Sequence, residues 1–224
     1  MAGPLQHPLA GLIASAADGR FPPVDGGWHR VAPWRDGLEA VVAFTGHAVL
    51  AVRSDVPDER LVELGVDGLG GAHDPRLVAA LAGDGGWIDS LDALLVTRAT
   101  GRPAGTGLVP RPDLADQPRA RLAAELRDDV RVLGRADDTD PTVAVVSRGV
   151  AGLTELSFEI EPTRRGGAGA DLVRSALAAV PAGELVVAAA APGNAASLRA
   201  LMSAGFVPVG SVQLFRRADP ADRT

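Results

Sequence analysis

The chain reads as mixed α/β (α+β, built on a mixed sheet), with a smaller α/β lobe ahead of a larger α/β domain. Three observations predict this. The apolar runs switch repeatedly between a period of two and a period near 3.6, the marks of strands and helices. With 224 residues, 46% of them apolar, the chain can bury one good core or two small ones. Residues 101–112, carrying Arg102-Pro103, Gly105-Thr106-Gly107 and Pro110-Arg111-Pro112, form the clearest break in composition and divide the two parts.

Residues 1–38 are rich in Pro and Gly without a sustained period and read as an arm, whose Trp28 and Trp34 pack onto the body. Residues 39–100 read as the small lobe. In it the runs 40–44 and 48–52 flank Thr45-Gly46-His47 as a hairpin, 55–64 and 74–81 have helical spacing with an aspartate able to cap each, and 91–96 is a strand. After the linker 101–112, residues 113–217 predict a helix (118–126), three strands (130–134, 142–146, 153–160), a helix (167–179), a strand (184–190), a helix (194–204) and paired end strands over 206–215. Residues 218–224 are a tail. The end strands could stand as a free edge or pair with a second copy, so a homodimer stays open.

Composition excludes several classes. A net charge of -6 and a pI near 5.2 argue against a phosphate-backbone binder, so no nucleic acid is expected. There is no cysteine, which removes disulfides, thiolate metal sites and a thiol nucleophile. No apolar run reaches membrane-spanning length and residues 8–17 lack the basic flank of a secretory signal, so no membrane association is expected and the location reads as cytoplasmic. His7, His29, His47 and His73 show no metal-ligand spacing, and no metal is expected.

The strongest motif follows the strand 153–160. Arg164-Arg165-Gly166-Gly167-Ala168-Gly169-Ala170 stands between that strand and a helix carrying Leu172, Val173 and Leu177. Such a turn lets backbone N–H groups approach a phosphate at a helix N-terminus, with arginines adding charge. Taken alone it reads equally well as a tight turn with solvated arginines. No Gly-Lys-Ser/Thr follows it and no Gly-x-Gly-x-x-Gly is present there, which disfavours ATP and NAD. A second motif, Asn194-Ala195-Ala196-Ser197 running to Gly205-Phe206, is a capped helix with a left-handed stop, and it holds the only asparagine in the chain.

Together these segments resemble the two signatures of the GNAT acyltransferase superfamily: Arg/Gln-x-x-Gly-x-Gly/Ala, met at Arg164, Gly167 and Gly169, and Asn-x-x-Ser ending in Gly-Phe. With the matching order of strands and helices, the resemblance covers residues 113–217; the N-terminal half is not included in it. It implies acetyl-CoA as co-substrate, its pyrophosphate held by the backbone of Arg165, Gly166, Gly167, Ala168, Gly169 and Ala170 with Arg164 beside them. It further implies pantetheine lying along Phe158 and Ile160, with Asn194 and Ser197 on the cofactor, and a small-molecule or peptide amine as acceptor.

Acyl transfer to an amine needs a base for the ammonium proton and a donor for the departing thiolate. Period two puts Glu155, Ser157, Glu159 and Glu161 on one face of the strand 153–160, neighbours standing roughly 7 Å apart. Such a face is either solvated or chemical. Because the resemblance makes this strand central, Glu155 is the leading base and Glu159 the second; Glu161 lies too near the phosphates. The tyrosine that the family often uses as acid is replaced by Leu201, leaving Ser197 as the available hydroxyl. The expected function is an acetyl-CoA-dependent N-acetyltransferase working by direct attack, the alternative a CoA-binding sensor or assembly module.

Overall fold

The computed structural model describes residues 7–101, 107–136, 139, 141–161 and 168–218. Its first elements are α1 (Pro8–Ala17), β1 (Trp28–Val31), β2 (Glu39–Phe44), β3 (His47–Ala51), α2 (Asp58–Glu63), α3 (Pro75–Ala82), β4 (Trp87–Ile88) and β5 (Asp92–Arg98). Then follow β6 (Val109–Pro110), α4 (Pro118–Leu126), β7 (Asp128–Gly134), β8 (Val143–Arg148), β9 (Thr154–Glu159), α5 (Ala168–Ala178), β10 (Leu185–Ala190), α6 (Ala195–Ser203) and β11 (Val207–Arg216). The architecture is mixed α/β. Its described residues fall into two compact units, the first drawn from 5–94 together with 209–224 and the second from 95–208. No helix among the described residues is long and apolar enough to cross a membrane.

In the first unit the strand order is β1-β3-β2-β11, with β4 also on β11. β2 and β3 form the expected antiparallel hairpin, and β1 pairs parallel with β3, Trp28 opposite Ala48. The arm is thus more ordered than its composition suggested. α1 buries Leu9, Ala10, Ile13 and Ala16, and is capped by His7, whose ring nitrogen accepts from the Leu9 N–H. Its period was obscured because Ala and Gly occupy the outer positions where polar residues normally mark the solvent side. Trp28 packs against the core of Val41, Leu50, Leu61, Leu77 and Phe215. Of the two expected aspartate caps, Asp74 accepts from Arg76 N–H at 2.8 Å, whereas α2 starts at the Pro57 cap, so Asp55 does not cap it. Asp55 binds Arg53 and Arg217 instead.

The chain end is one ten-residue strand, not a pair. β11 continues through Gly210, where a Cβ would meet the Ala43 carbonyl oxygen at 2.2 Å. The missing side chain thus permits close approach to β2 and makes no turn. Just beyond it, Arg217 grips the buried Glu39 carboxylate at 2.6 and 2.8 Å, and the Arg53 N–H donates to the same group at 2.7 Å.

Three side chains in this unit form a hydrogen-bonded row: Asp25 Oδ1 to His47 Nδ1 at 2.9 Å, and His47 Nε2 to His29 Nδ1 at 3.0 Å. Since the carboxylate can only accept, His47 donates from Nδ1 and accepts at Nε2 from His29. Burial, then His47, holds His29 below its ordinary value, and burial does the same for His73 against the opposing hydrogen bond of Gln213. The His47 hydrogen bond, then the Gly27 N–H, lowers Asp25. A histidine depressed in the fold leaves the unfolded chain with more bound protons as pH drops below about 6.5. The stability it contributes is therefore complete above that value and is lost as pH falls through the lowered one; Asp25 adds a further loss in the same direction, below the carboxylate range. The melting temperature is expected to decline between about pH 7.5 and about pH 5, and to decline less in His29→Phe. A pH-independent melting temperature over that interval would contradict this.

In the second unit the order is β5-β10-β9-β8-β7-β6. β8 pairs antiparallel with β7 and with β9; β9 and β10 run parallel. Ala120 and Ala123 of α4 pack with Leu114, Val143 and Val145. Because Val143 lies opposite Glu159 and Val145 opposite Ser157, these residues share the α4 face of the sheet. α5 buries Leu172, Val173, Ala176 and Leu177.

Candidate functional site

The site originates in how β9 ends. It pairs with β10 only at Thr154↔Val186 and Glu155↔Val187. From Leu156 onward, no register partner on that side follows among the described residues, so the pairing of the two parallel strands ends there. A cavity of about 820 Å³ lies at the end of β9 beyond these pairs. Its walls are Pro118, Arg119 and Leu122 of α4, then Phe158, Glu159 and Ile160 at the end of β9. Gly169 and Ala170 of α5 close another side, and Asn194, Ser197, Arg199 and Ala200 line it from α6 and its cap.

Local sequence explains each wall. Asn194 Oδ1 accepts from Ser197 N–H at 3.1 Å, so this asparagine holds the first turn of α6 beside the cavity. Gly205, at φ 97°, stops the helix in the left-handed region, and Phe206 is buried behind it. At Gly169 a Cβ would stand 2.9 Å from Ala200 Cβ and 3.4 Å from Ile160 Cδ1. Glycine there keeps the start of α5 against both α6 and β9, and keeps its backbone open to a ligand.

Phe158, Glu159, Ile160, Gly169, Ala170, Asn194 and Ser197 thus come together in one cavity, with Ala168 opening α5. Arg164, Arg165, Gly166 and Gly167 lie outside the described residues. Glu155 is not among the lining residues. Only 4% exposed, it directs its carboxylate at Arg127 Nη2, 2.6 Å away, and accepts from Val150 N–H at 3.0 Å. Arg127 also donates to Ser157 Oγ at 2.9 Å. Glu159, four residues along the same face, is exposed and borders the cavity. Leu201, where the resemblance would have placed a tyrosine, is 2% exposed and packed inward.

Sequence reasoning missed Arg119, Leu122 and Arg199. Arg199 could have been found on the helix of the second motif, but only the tertiary fold brings α4 to the end of β9. Among the described residues no group of three or more His, Asp or Glu could hold a metal ion.

Fold and site together define a mixed α/β unit whose central parallel strands separate over a polar-rimmed cavity. No protein-family model and no curated protein matches the sequence. Similar solved structures include a protein assigned to the GNAT acetyltransferase family from Novosphingobium aromaticivorans (21% identity, 60% of this chain and 69% of that one, TM-score 0.39). Another is a functionally unknown conserved protein from Staphylococcus epidermidis (16% identity, 64% and 67%, TM-score 0.42). A third is a GCN5-related N-acetyltransferase from Kribbella flavida (18% identity, 66% of each chain, TM-score 0.37).

Proposed function

We propose that the second unit binds acetyl-CoA at the parting of β9 and β10 and transfers its acetyl group to an amine, as an N-acetyltransferase of GNAT type. The observation that carries this reading is the edge of β9 past its last pairing with β10, beside a cavity bounded by both sequence motifs. An extended amide-containing arm can hydrogen-bond to such an edge as a missing strand would. The fit is supported at Gly169, where any side chain would fill the space between α5, α6 and Ile160, and at the α5 N-terminus, whose N–H groups favour phosphate.

Acetyl-CoA, when bound, supplies the activated acyl group. Glu159 is the base that accepts the ammonium proton of the acceptor, since it is exposed to the cavity while Glu155 is committed to Arg127. That assignment moves the leading role one step along the face from Glu155, which we give a positioning role, holding Arg127 and through it Ser157. Ser197 offers its hydroxyl to the departing sulfur from the α6 wall. Arg199, on the same helix, stands for the phosphates. Calorimetry with acetyl-CoA is the test: binding in the micromolar range is expected, and no heat at high micromolar cofactor would remove the reading.

The inward packing of Leu201 and the absence of tyrosine favour a second reading, a CoA-responsive sensor or assembly module. It predicts acetyl-CoA binding without turnover of any amine. Turnover that disappears in Glu159→Gln excludes it.

A further inference from the structure

Two opposite charges border the cavity on the α4 face, and among the described residues neither has an ion partner. Arg119, in the first turn of α4, has its Nε buried without a hydrogen-bond partner. Glu159 lies on the same face at the end of β9. Among the described residues the two make no salt bridge with each other and neither finds another ion partner. A buried guanidinium N–H left unpaired is costly, and native proteins pair most such groups. Both residues line one cavity, with Leu122 one turn beyond Arg119 as an apolar surface.

We infer that the acceptor is a zwitterion of the amino-acid class, its carboxylate taken by Arg119 and its amine by Glu159. This rests on the acyl-transfer reading and specifies its acceptor. The two faces of the sheet separate the anions. Gly169, Asn194 and Arg199 belong to α5, α6 and its cap, where the phosphates of the cofactor are expected. Arg119 belongs to α4, on the side of Glu159. A planar guanidinium lining the cavity is suited to a carboxylate, which it can bind through two parallel N–H groups.

In the reaction the amine nitrogen forms its bond to the acetyl carbon as the thioester C–S bond breaks. Of the two protons that the ammonium loses, one goes to Glu159 and onward to solvent; the other ends on the released thiol. Arg119 is then a specificity determinant that takes no proton and holds the carboxylate end of the acceptor.

The experiment compares free amino acids with their decarboxylated amines in a thiol-release assay on the full chain, alongside acetyl-CoA calorimetry on the wild type, Arg119→Gln and Arg119→Lys. At least one amino acid should be acetylated with kcat/KM about tenfold or more above its own decarboxylated amine. Arg119→Gln should raise KM for that amino acid about tenfold, leave the acetyl-CoA Kd within about twofold, and erase the preference over the amine; Arg119→Lys should restore part of it. Equal use of amino acid and amine, acetyl-CoA binding without turnover of any amino acid, or a loss of acetyl-CoA affinity in both Arg119 variants would each overturn the inference. Failure of the wild type to bind acetyl-CoA would instead overturn the acyl-transfer reading beneath it.

Discussion

Replacing Glu155 with alanine is expected to destabilise the unit of residues 95–208 by about 3–5 kcal/mol, the cost of leaving a buried charge without its partner. The Glu155 side chain is 5% exposed and that of Arg127 11%, with 2.6 Å between their charged atoms. Removing the carboxylate abandons the guanidinium and also the Val150 N–H. The chain fits Glu155 closely: a Cβ at Gly149 would fall 1.8 Å from its Oε2. Arg127→Ala should cost a similar amount, and the double variant less than the sum, since the two share one interaction. Urea unfolding measures all three. A loss below about 1 kcal/mol for Glu155→Ala would mean that the pair is solvated and that Glu155 is free for chemistry.

The opposite profile is expected at Glu159. Glu159→Gln should lower kcat/KM about 10²- to 10⁴-fold, the usual contribution of a positioned base. It should leave acetyl-CoA affinity nearly unchanged and stability within about 0.5 kcal/mol, as for an exposed side chain. Parallel kinetics and calorimetry separate these effects. If Glu159→Gln retains full turnover while a folded Glu155→Gln loses it, the roles of the two glutamates are exchanged.

These two residues show how far the sequence could be read. Alternation along 153–160 placed Glu155, Ser157 and Glu159 on one face, and the register with β8 agrees. What alternation cannot convey is depth along the strand, and that decides which carboxylate reaches solvent: Glu155 lies where β9 is still flanked by β10, Glu159 where it is not. The helix over 118–126 was legible because Ala120, Ala123 and Leu126 share a face and Pro118 opens it. Its Arg119 was not, since nothing local says that this turn stands beside the end of a strand forty residues away. α1 escaped for lack of polar contrast. The last strand was misjudged as two because Gly210 carries the composition of a turn while serving a close crossing of two backbones.

β11 is also where the order of assembly is written. Residues 95–208 form one unbroken run, whereas the other unit is made from two pieces that flank it, the later of which supplies a strand to β2 and the Arg217 grip on Glu39. A chain leaving the ribosome therefore presents β2 long before its neighbour exists, and the hairpin must wait with one edge unpaired until the whole inserted unit has been made. The segment that would normally fold first is completed last. The inserted unit, drawn from one run of the chain, can reach its native form while its host is still unfinished.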